Sequence, residues 1–547
     1  TSTLMNWTAT PATVSGGGWL QVSPSSGTSD PKLPPPSITI TANASSLAAG
    51  DYYGTVSIRS DTSLQVISVV LSVLTPDKSP GVVVEPTGVV FLVPPGGNAP
   101  PAKTVRISNP TTVPLTFTTS LSFSTAASWF QIQPTTGSVT PTQPITVNIQ
   151  PNASLTAGVL TGSVTFTFSD GTMRVVSLVA VVAPGISGGS VAPFAEQTRS
   201  AACTPTKLLP VFTLLGVNFT SPVAWPANIE AFVVDDCGTP VASGSVAASF
   251  SNGDPPVGLL ATQAGRYSGT WTPRNPVNAN MNVTLTAQTF TPALKGTVTV
   301  SGAAPANPNV PIVSFGGVVG TASYVASPAP GTLISIFGSA LADDVAGASA
   351  LPLPTQLLST QVILGGVTVP LVFVSGGQIN AQVPYRLPTK ATYQVIVQRG
   401  TAISTPESVG IGDGQPAVFT TDLSGGGQGH IYRITSAGAQ ILASPGAAVT
   451  AGDVVTVYCS GLGEVNPATV TAGSPAPLDV LENTANPVTA TIGDMDAKVL
   501  FAGLTPGFTG LYQVNLVIPG GVTPSDSAPL VLTVAGQVSQ PVTLAVR

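Results

Sequence analysis

Residues 44–56 read ASSLAAGDYYGTV, and residues 153–164 read ASLTAGVLTGSV. Each leads through two glycines, Gly50 and Gly54 or Gly158 and Gly162, into a run whose apolar side chains recur at every second position. Val56 and Ile58 alternate in the first run, and Val164, Phe166 and Phe168 in the second. Successive side chains of an extended strand point to opposite faces, so this period predicts strands with one buried face. The likeness extends outward in both directions. Trp19 matches Trp129, SPSSG at 23–27 matches QPTTG at 133–137, and VISVVLSVLTP at 66–76 matches VVSLVAVVAP at 175–184. Short strands punctuated by glycine and proline turns, repeated as a unit, predict two copies of one small β-sandwich.

Composition extends this reading to the whole chain. Only 17 Lys and Arg and 23 Asp and Glu occur among 547 residues. That is 7% charged, against about 25% in typical soluble domains. Surface helix positions are normally filled by charged and amide residues, whereas exposed strand positions accept Thr and Ser, so an all-β chain is expected. With 57 Gly, 53 Pro and 43% hydrophobic residues, the chain is too apolar for wholesale disorder. A net charge of −6 excludes a basic nucleic-acid footprint. No apolar run reaches the roughly 18 residues of a membrane-spanning helix. No signal peptide begins at Thr1; a charge-poor, Thr/Ser-rich β chain nonetheless suits export, and Thr1 reads as a processed or trimmed start.

Five tandem immunoglobulin-like β-sandwiches are expected, over residues 1–76, 82–184, 194–302, 310–412 and 413–547. At about 30 Å per sandwich, a row of five is elongated, spanning roughly 150 Å. The first two units resemble the BACON domain family, immunoglobulin-like modules of secreted bacterial proteins often appended to carbohydrate-active enzymes. The third contains GRYSGTWTP at 265–273, which resembles bacterial immunoglobulin-like surface modules of the invasin kind. The last two units are related to each other. Each has a strand ending in glycine, Gly338 or Gly461, followed by a Q-x-N-x-x-[VI]-P motif with Gln378 and Asn380 or Gln513 and Asn515. Each half looks like an IPT/TIG-type sandwich, and the pair resembles a C-terminal domain family of acidobacterial secreted proteins. That resemblance implies export and a β-sandwich tail, and no chemistry. Residues 416–444 between the halves read as a bridging hairpin.

The two BACON-like copies differ in one respect. The second carries a leader, residues 82–109, that reads as two strands around a Pro/Gly-rich turn and supplies Val89, Phe91, Val93, Val105 and Ile107. The first has only Thr1, Ser2 and Thr3 there. Three or four missing core side chains, at roughly 1.5–3 kcal/mol each, remove about 5–10 kcal/mol, comparable to the stability of a whole domain. Either the chain is truncated or a strand of another molecule completes the sheet by β-augmentation.

Few residues suit catalysis. His430, the one histidine, reads as a loop residue without a partner, so His-based zinc sites and Cys–His dyads have nothing to be built from. The one G-x-S-x-G match, Gly185, Ser187 and Gly189, falls in a linker and not on the strand-to-helix turn a nucleophile elbow needs. The acidic pairs Asp235/Asp236, Asp343/Asp344 and Asp494/Asp496 read as turns or caps in preference to calcium ligands. Cys203 and Cys237 are disulfide candidates in one unit, and Cys459, inside VVTVYCSGLG, reads as a buried thiol. Gln378, Asn380, Gln513 and Asn515 are candidate structural amides that lock a turn to the backbone. Trp7, Trp19 and Trp129 could stack on glycans if exposed, and core anchoring is the simpler reading.

No cofactor, metal or catalytic residue is expected. The leading expectation is a non-enzymatic extracellular structural or adhesive protein, self-assembling into a surface filament by strand donation to its first sandwich. The alternative is a carbohydrate-binding accessory module array, with surface glycans as partners.

Overall fold

The computed structural model describes the chain apart from residues 1–3, 34, 62, 76–80, 185, 187–202 and 436–437. The described residues are built almost wholly from β-strands; one three-residue 3-10 turn, Pro445–Ala447, is the sole helical element among them. None of their helices is long and apolar enough to cross a membrane. The architecture is a series of immunoglobulin-like β-sandwiches, each closing on its own apolar core. Two compact units result, one of Thr1–Leu47, Tyr52–Leu71 and Pro308–Arg547, the other of Ala48–Asp51 and Ser72–Asn307. The first sandwich thus belongs to the same unit as the fourth and fifth. Within that unit the Val66 N–H donates to the Gln394 side-chain oxygen.

The first sandwich has six strands: β1 (Met5–Thr13), β2 (Leu20–Ser23), β3 (Ser26–Ser29), β4 (Thr39–Ala42), β5 (Gly50–Ser60) and β6 (Leu64–Val73). They form a four-stranded sheet in the order β3-β1-β5-β6 facing a two-stranded sheet, β2-β4. The second has nine: β7 (Val83–Glu85), β8 (Gly88–Val93), β9 (Lys103–Ser108), β10 (Leu115–Phe123), β11 (Phe130–Gln133), β12 (Thr136–Val139), β13 (Ile145–Pro151), β14 (Gly158–Phe168) and β15 (Met173–Val182). Here the sheets are β12-β10-β14-β15-β8 and β11-β13-β9-β7. The leader thus makes three strands where two were expected. Pro86, which has no N–H to give a ladder, stands between β7 and β8, and the two run in opposite sheets.

The third sandwich is an eight-stranded sheet that curls around Trp271, Tyr267 and Met281, all buried. At its end lies a buried carboxylate, Asp254. Its two oxygens accept from Trp271 Nε1 (3.0 Å), Asn252 Nδ2 (2.8 Å), Asn275 Nδ2 (3.0 Å) and the Arg274 and Asn275 backbone N–H groups. Five donors on one side chain replace the hydration that burial removes.

The fourth and fifth sandwiches repeat one plan. Gly338 and Gly461 end equivalent strands, Leu333–Ser339 and Val454–Ser460. A Cβ at either would stand 2.0 Å from the Ile312 carbonyl oxygen or 1.9 Å from that of Gln415, so only glycine lets the incoming segment pass so close. The hairpin of Ile431–Ile434 and Gln440–Leu442 is not a separate bridge: it pairs with Val454–Ser460 and extends the fifth sandwich's own sheet.

A buried amide joins the two halves. Gln382 Oε1 accepts from the Gly473 N–H (2.7 Å), and its Nε2 donates to the Gly331 carbonyl (3.2 Å) and to Tyr385 Oη (3.3 Å). Tyr512, fully buried beside it, donates to the Gly463 carbonyl (2.5 Å). Burial holds both phenols far above the usual tyrosine range, so they act here as neutral donors. Gln382→Ala leaves the Gly473 donor and the Gly331 acceptor unpaired at the seam. It is expected to cost about 2–3 kcal/mol in the C-terminal transition of a denaturant titration, with the third sandwich's transition unmoved.

Candidate strand-accepting edge of the first sandwich

The repeat allows each side chain of the first sandwich to be compared with its counterpart in the second. Val22 opposes Ile40 across β2 and β4, and Ile132 opposes Ile149 across β11 and β13, each pair two residues in from the same end of its ladder. In the second sandwich β13 is flanked on its other side by β9, and Ile149 is fully buried. In the first, no strand among the described residues pairs with that side of β4; all four β4 residues are exposed, Ile40 by 38%. The other sheet repeats the contrast. Val176, fourth in β15, is fully buried, and β15 is covered by β8 running parallel to it. Ile67, fourth in β6, is 41% exposed, and among the described residues no strand pairs with the outer edge of β6.

The core between these sheets is correspondingly thin. Five buried residues, Trp7, Ala9, Trp19, Leu20 and Val56, form it, with Ile38, Ile58, Val69 and Leu71 only partly covered. The second sandwich buries Val89, Phe91, Val93, Val105 and Ile107 from β8 and β9 alone. The Trp7 indole N–H is buried without a hydrogen-bond partner. The edge of β4 beside Ile40 and that of β6 beside Ile67 pair with no strand among the described residues, although on β6 the Val66 N–H is already taken by the Gln394 side chain.

The residues singled out by sequence fall as follows. Trp7, Trp19 and Trp129 are all buried, at 7%, 2% and 2% exposure, so none offers a face to a glycan. Trp19 Nε1 donates to the Ser15 carbonyl and Trp129 Nε1 to that of Thr161. Cys203 and Cys237 form a disulfide, and Cys459 is a buried free thiol whose pKa burial pushes up. Asn380 and Asn515 occupy matching sites, but their partners are hydroxyls across a strand and not turn backbone. Asn380 Oδ1 accepts from Ser335 Oγ (3.1 Å) and Gln378 Nε2 (2.8 Å), and Asn515 Oδ1 accepts from Thr456 Oγ1 (3.0 Å). Gln513 lies in the same strand, opposite Tyr458.

His430 differs from expectation: it is not partnerless. Its Nδ1 meets Tyr432 Oη at 2.8 Å, and the rings lie parallel 6.0 Å apart. The acidic pairs serve turns and hydroxyls. Asp235 accepts from the Cys237 and Thr239 N–H groups, Asp236 from the Thr206 N–H, Asp343 from Ser359 Oγ and Asp344 from the Val345 N–H. Asp494 sits in a hairpin turn and Asp496 in the strand after it. The described residues hold no group of three or more His, Cys, Asp and Glu placed to bind a metal. Ser187 and Gly189 lie outside the described residues, as does Gly185. Sequence reasoning missed the Asp254 and Gln382 hubs, whose partners are distant in the chain. It also missed a cluster of charges around Lys103, Arg106, Glu230 and Arg266, for which the rarity of charge in this chain was the available signal.

Comparison with known proteins agrees with the repeat. A family model described as the viral BACON domain matches residues 1–72 and again 97–182. The second match begins after β8. No curated protein matches the chain. Among solved structures, the SGBP-B protein of a Bacteroides ovatus mixed-linkage glucan utilisation locus is 12% identical over 62% of this chain and 70% of its own, with a TM-score of 0.28. The YadV chaperone is 13% identical over 40% and 99% (TM-score 0.18), and the fibronectin(III)-like modules of Clostridium thermocellum CbhA are 12% identical over 41% and 94% (TM-score 0.14). These likenesses are of β-module type alone.

Proposed function

We propose that this chain is a non-enzymatic structural or adhesive protein of the extracellular space whose copies join end to end, the first sandwich of one taking a strand from another. The observation that carries the reading is the exposure of Ile40 and Ile67 at two unpaired edges, where Ile149 and Val176 of the repeated unit are fully buried. Covering the remaining two-fifths of each isoleucine with a donated strand recovers roughly 0.6–1.2 kcal/mol apiece, besides the ladder hydrogen bonds. The disulfide suits an oxidising compartment, as does the C-terminal pair's resemblance to secreted domains. Scarce surface charge favours close packing of copies, since few ionic groups need desolvating.

The test adds to the full chain a synthetic peptide of residues 82–109, the segment that closes the second sandwich. Concentration-dependent polymers visible by negative-stain electron microscopy, shortened or blocked by saturating peptide, are the expected result. Monomers at every concentration, with no peptide bound, would remove the reading.

A further inference from the structure

Charge is so sparse in this chain that its concentration in one place calls for a cause. Between the second and third sandwiches lies an open cavity of about 660 Å3, and five charged residues line it: Glu85, Lys103, Arg106, Glu230 and Arg266. One wall is β7 and β9, where Glu85 and Arg106 stand directly opposite across the ladder. The other is the pair of strands Ala227–Asp235 and Arg266–Trp271. The walls are held together by an apolar seam of Val90, Val181, Val211 and Val234, and by a hydrogen bond from the Thr87 N–H to the Thr213 carbonyl (2.9 Å). The cavity is thus a fixed feature of this unit and has the size of a small-ligand site.

Its cations are only partly spent. Arg266 pairs with Glu230 at 3.0 Å and lies over the Phe232 ring. Lys103 donates to the Val90 carbonyl (2.7 Å) and stands 5.6 Å from the Phe91 ring centre, which leaves two of its three ammonium protons without a protein acceptor. Desolvation, and to a smaller degree the nearby Arg266, lower its pKa. Arg106 has no ion-pair partner among the described residues. Three cations against two carboxylates give this cavity a local excess of +1 in a chain of net −6. A phosphate or sulfate would meet the cations but lie against two repelling carboxylates. A single carboxylate flanked by hydroxyls meets both: it takes the Arg106 guanidinium and Lys103 ammonium, while its hydroxyls donate to Glu85 and Glu230.

We infer that the cavity between the second and third sandwiches binds a hydroxylated carboxylate of sugar-acid type through Arg106 and Lys103. This goes beyond strand exchange and does not depend on it. Isothermal titration of the full chain with glucuronate and with trigalacturonate separates a free sugar acid from a chain end. At least one of the two is expected to bind saturably, with glucose and inorganic sulfate each at least tenfold weaker. Arg106→Gln and Lys103→Gln are each expected to weaken binding about tenfold or more, and Arg106→Gln is expected to leave the thermal transitions in place, since Arg106 is exposed and spends no buried hydrogen bond. Glu230→Gln releases Arg266 and is expected to leave carboxylate binding intact or tighter. Absence of saturable binding of both acids, equal binding of glucose, or full affinity in the Arg106→Gln protein overturns the inference.

Discussion

Replacing Asp254 by alanine is expected to unfold the third sandwich at lower denaturant by about 3–5 kcal/mol. Two oxygens gather five donors there, three from side chains and two from backbone. The residue is 6% exposed, so water cannot take its place without opening the end of the core. One of the donors is the indole of Trp271, which stacks on Phe250 at 4.6 Å and meets Phe219 edge-on. Losing the acceptor therefore loosens the largest side chain in that core and unpairs the Arg274 and Asn275 backbone N–H groups, while the Asn252 amide keeps its bond to the Asn275 carbonyl and the exposed Asn275 side chain turns to water. Asn at the same position keeps one acceptor and turns an NH2 group toward N–H groups, so it is expected to recover less than half the loss. The check is a urea titration of the full chain followed by near-ultraviolet circular dichroism. A cost below 1 kcal/mol for Asp254→Ala would mean that relaxed backbone or water satisfies those donors, and the hub would have no structural importance.

Much of this fold was open to reading from the chain because strand periodicity is local. Val56 and Ile58 announce a half-buried strand without any knowledge of what covers it, and the repetition of Trp19 at Trp129 ties two segments to one plan. The same comparison directs attention to Ile40 and Ile67, which stand exposed at edges with which no strand among the described residues pairs. What escaped is non-local. Gln382 lies inside the repeated motif, two positions after Asn380, yet two of its three partners stand 51 and 91 residues away, and nothing near it in sequence separates it from any other strand amide. Asp254 lies in a Pro- and Gly-rich turn, where aspartate is ordinary. Lys103 and Arg266 belong to different sandwiches and become neighbours only when those sandwiches dock. The amides at Asn380 and Asn515 show the intermediate case: the pattern marked them as equivalent, while the hydroxyls they bind, Ser335 and Thr456, were set by sheet register.

Reducing the Cys203–Cys237 bond is expected to take about 3–4 kcal/mol from the third sandwich, the entropy its unfolded chain regains when a loop of 34 residues opens. The bond is placed for this effect. It ties the segment entering the strand Leu208–Leu214 to the turn after Ala227–Asp235, the two strands that pair along one edge of the sheet. Cys203 also packs against the seam with the second sandwich, so loss of the bond frees a segment that helps hold the two together. The paired Cys203→Ser, Cys237→Ser protein should melt its third sandwich early under oxidising conditions, and added reductant should not lower it further. Cys459 supplies an internal control, because its thiol is fully buried and burial disfavours the reactive thiolate. Native protein should therefore show no thiol to a disulfide reagent, unfolded protein one, and reduced unfolded protein three, the full complement of the chain. Material from its natural source that shows three thiols on unfolding without reductant would place the chain in a reducing compartment. That result would remove the extracellular reading.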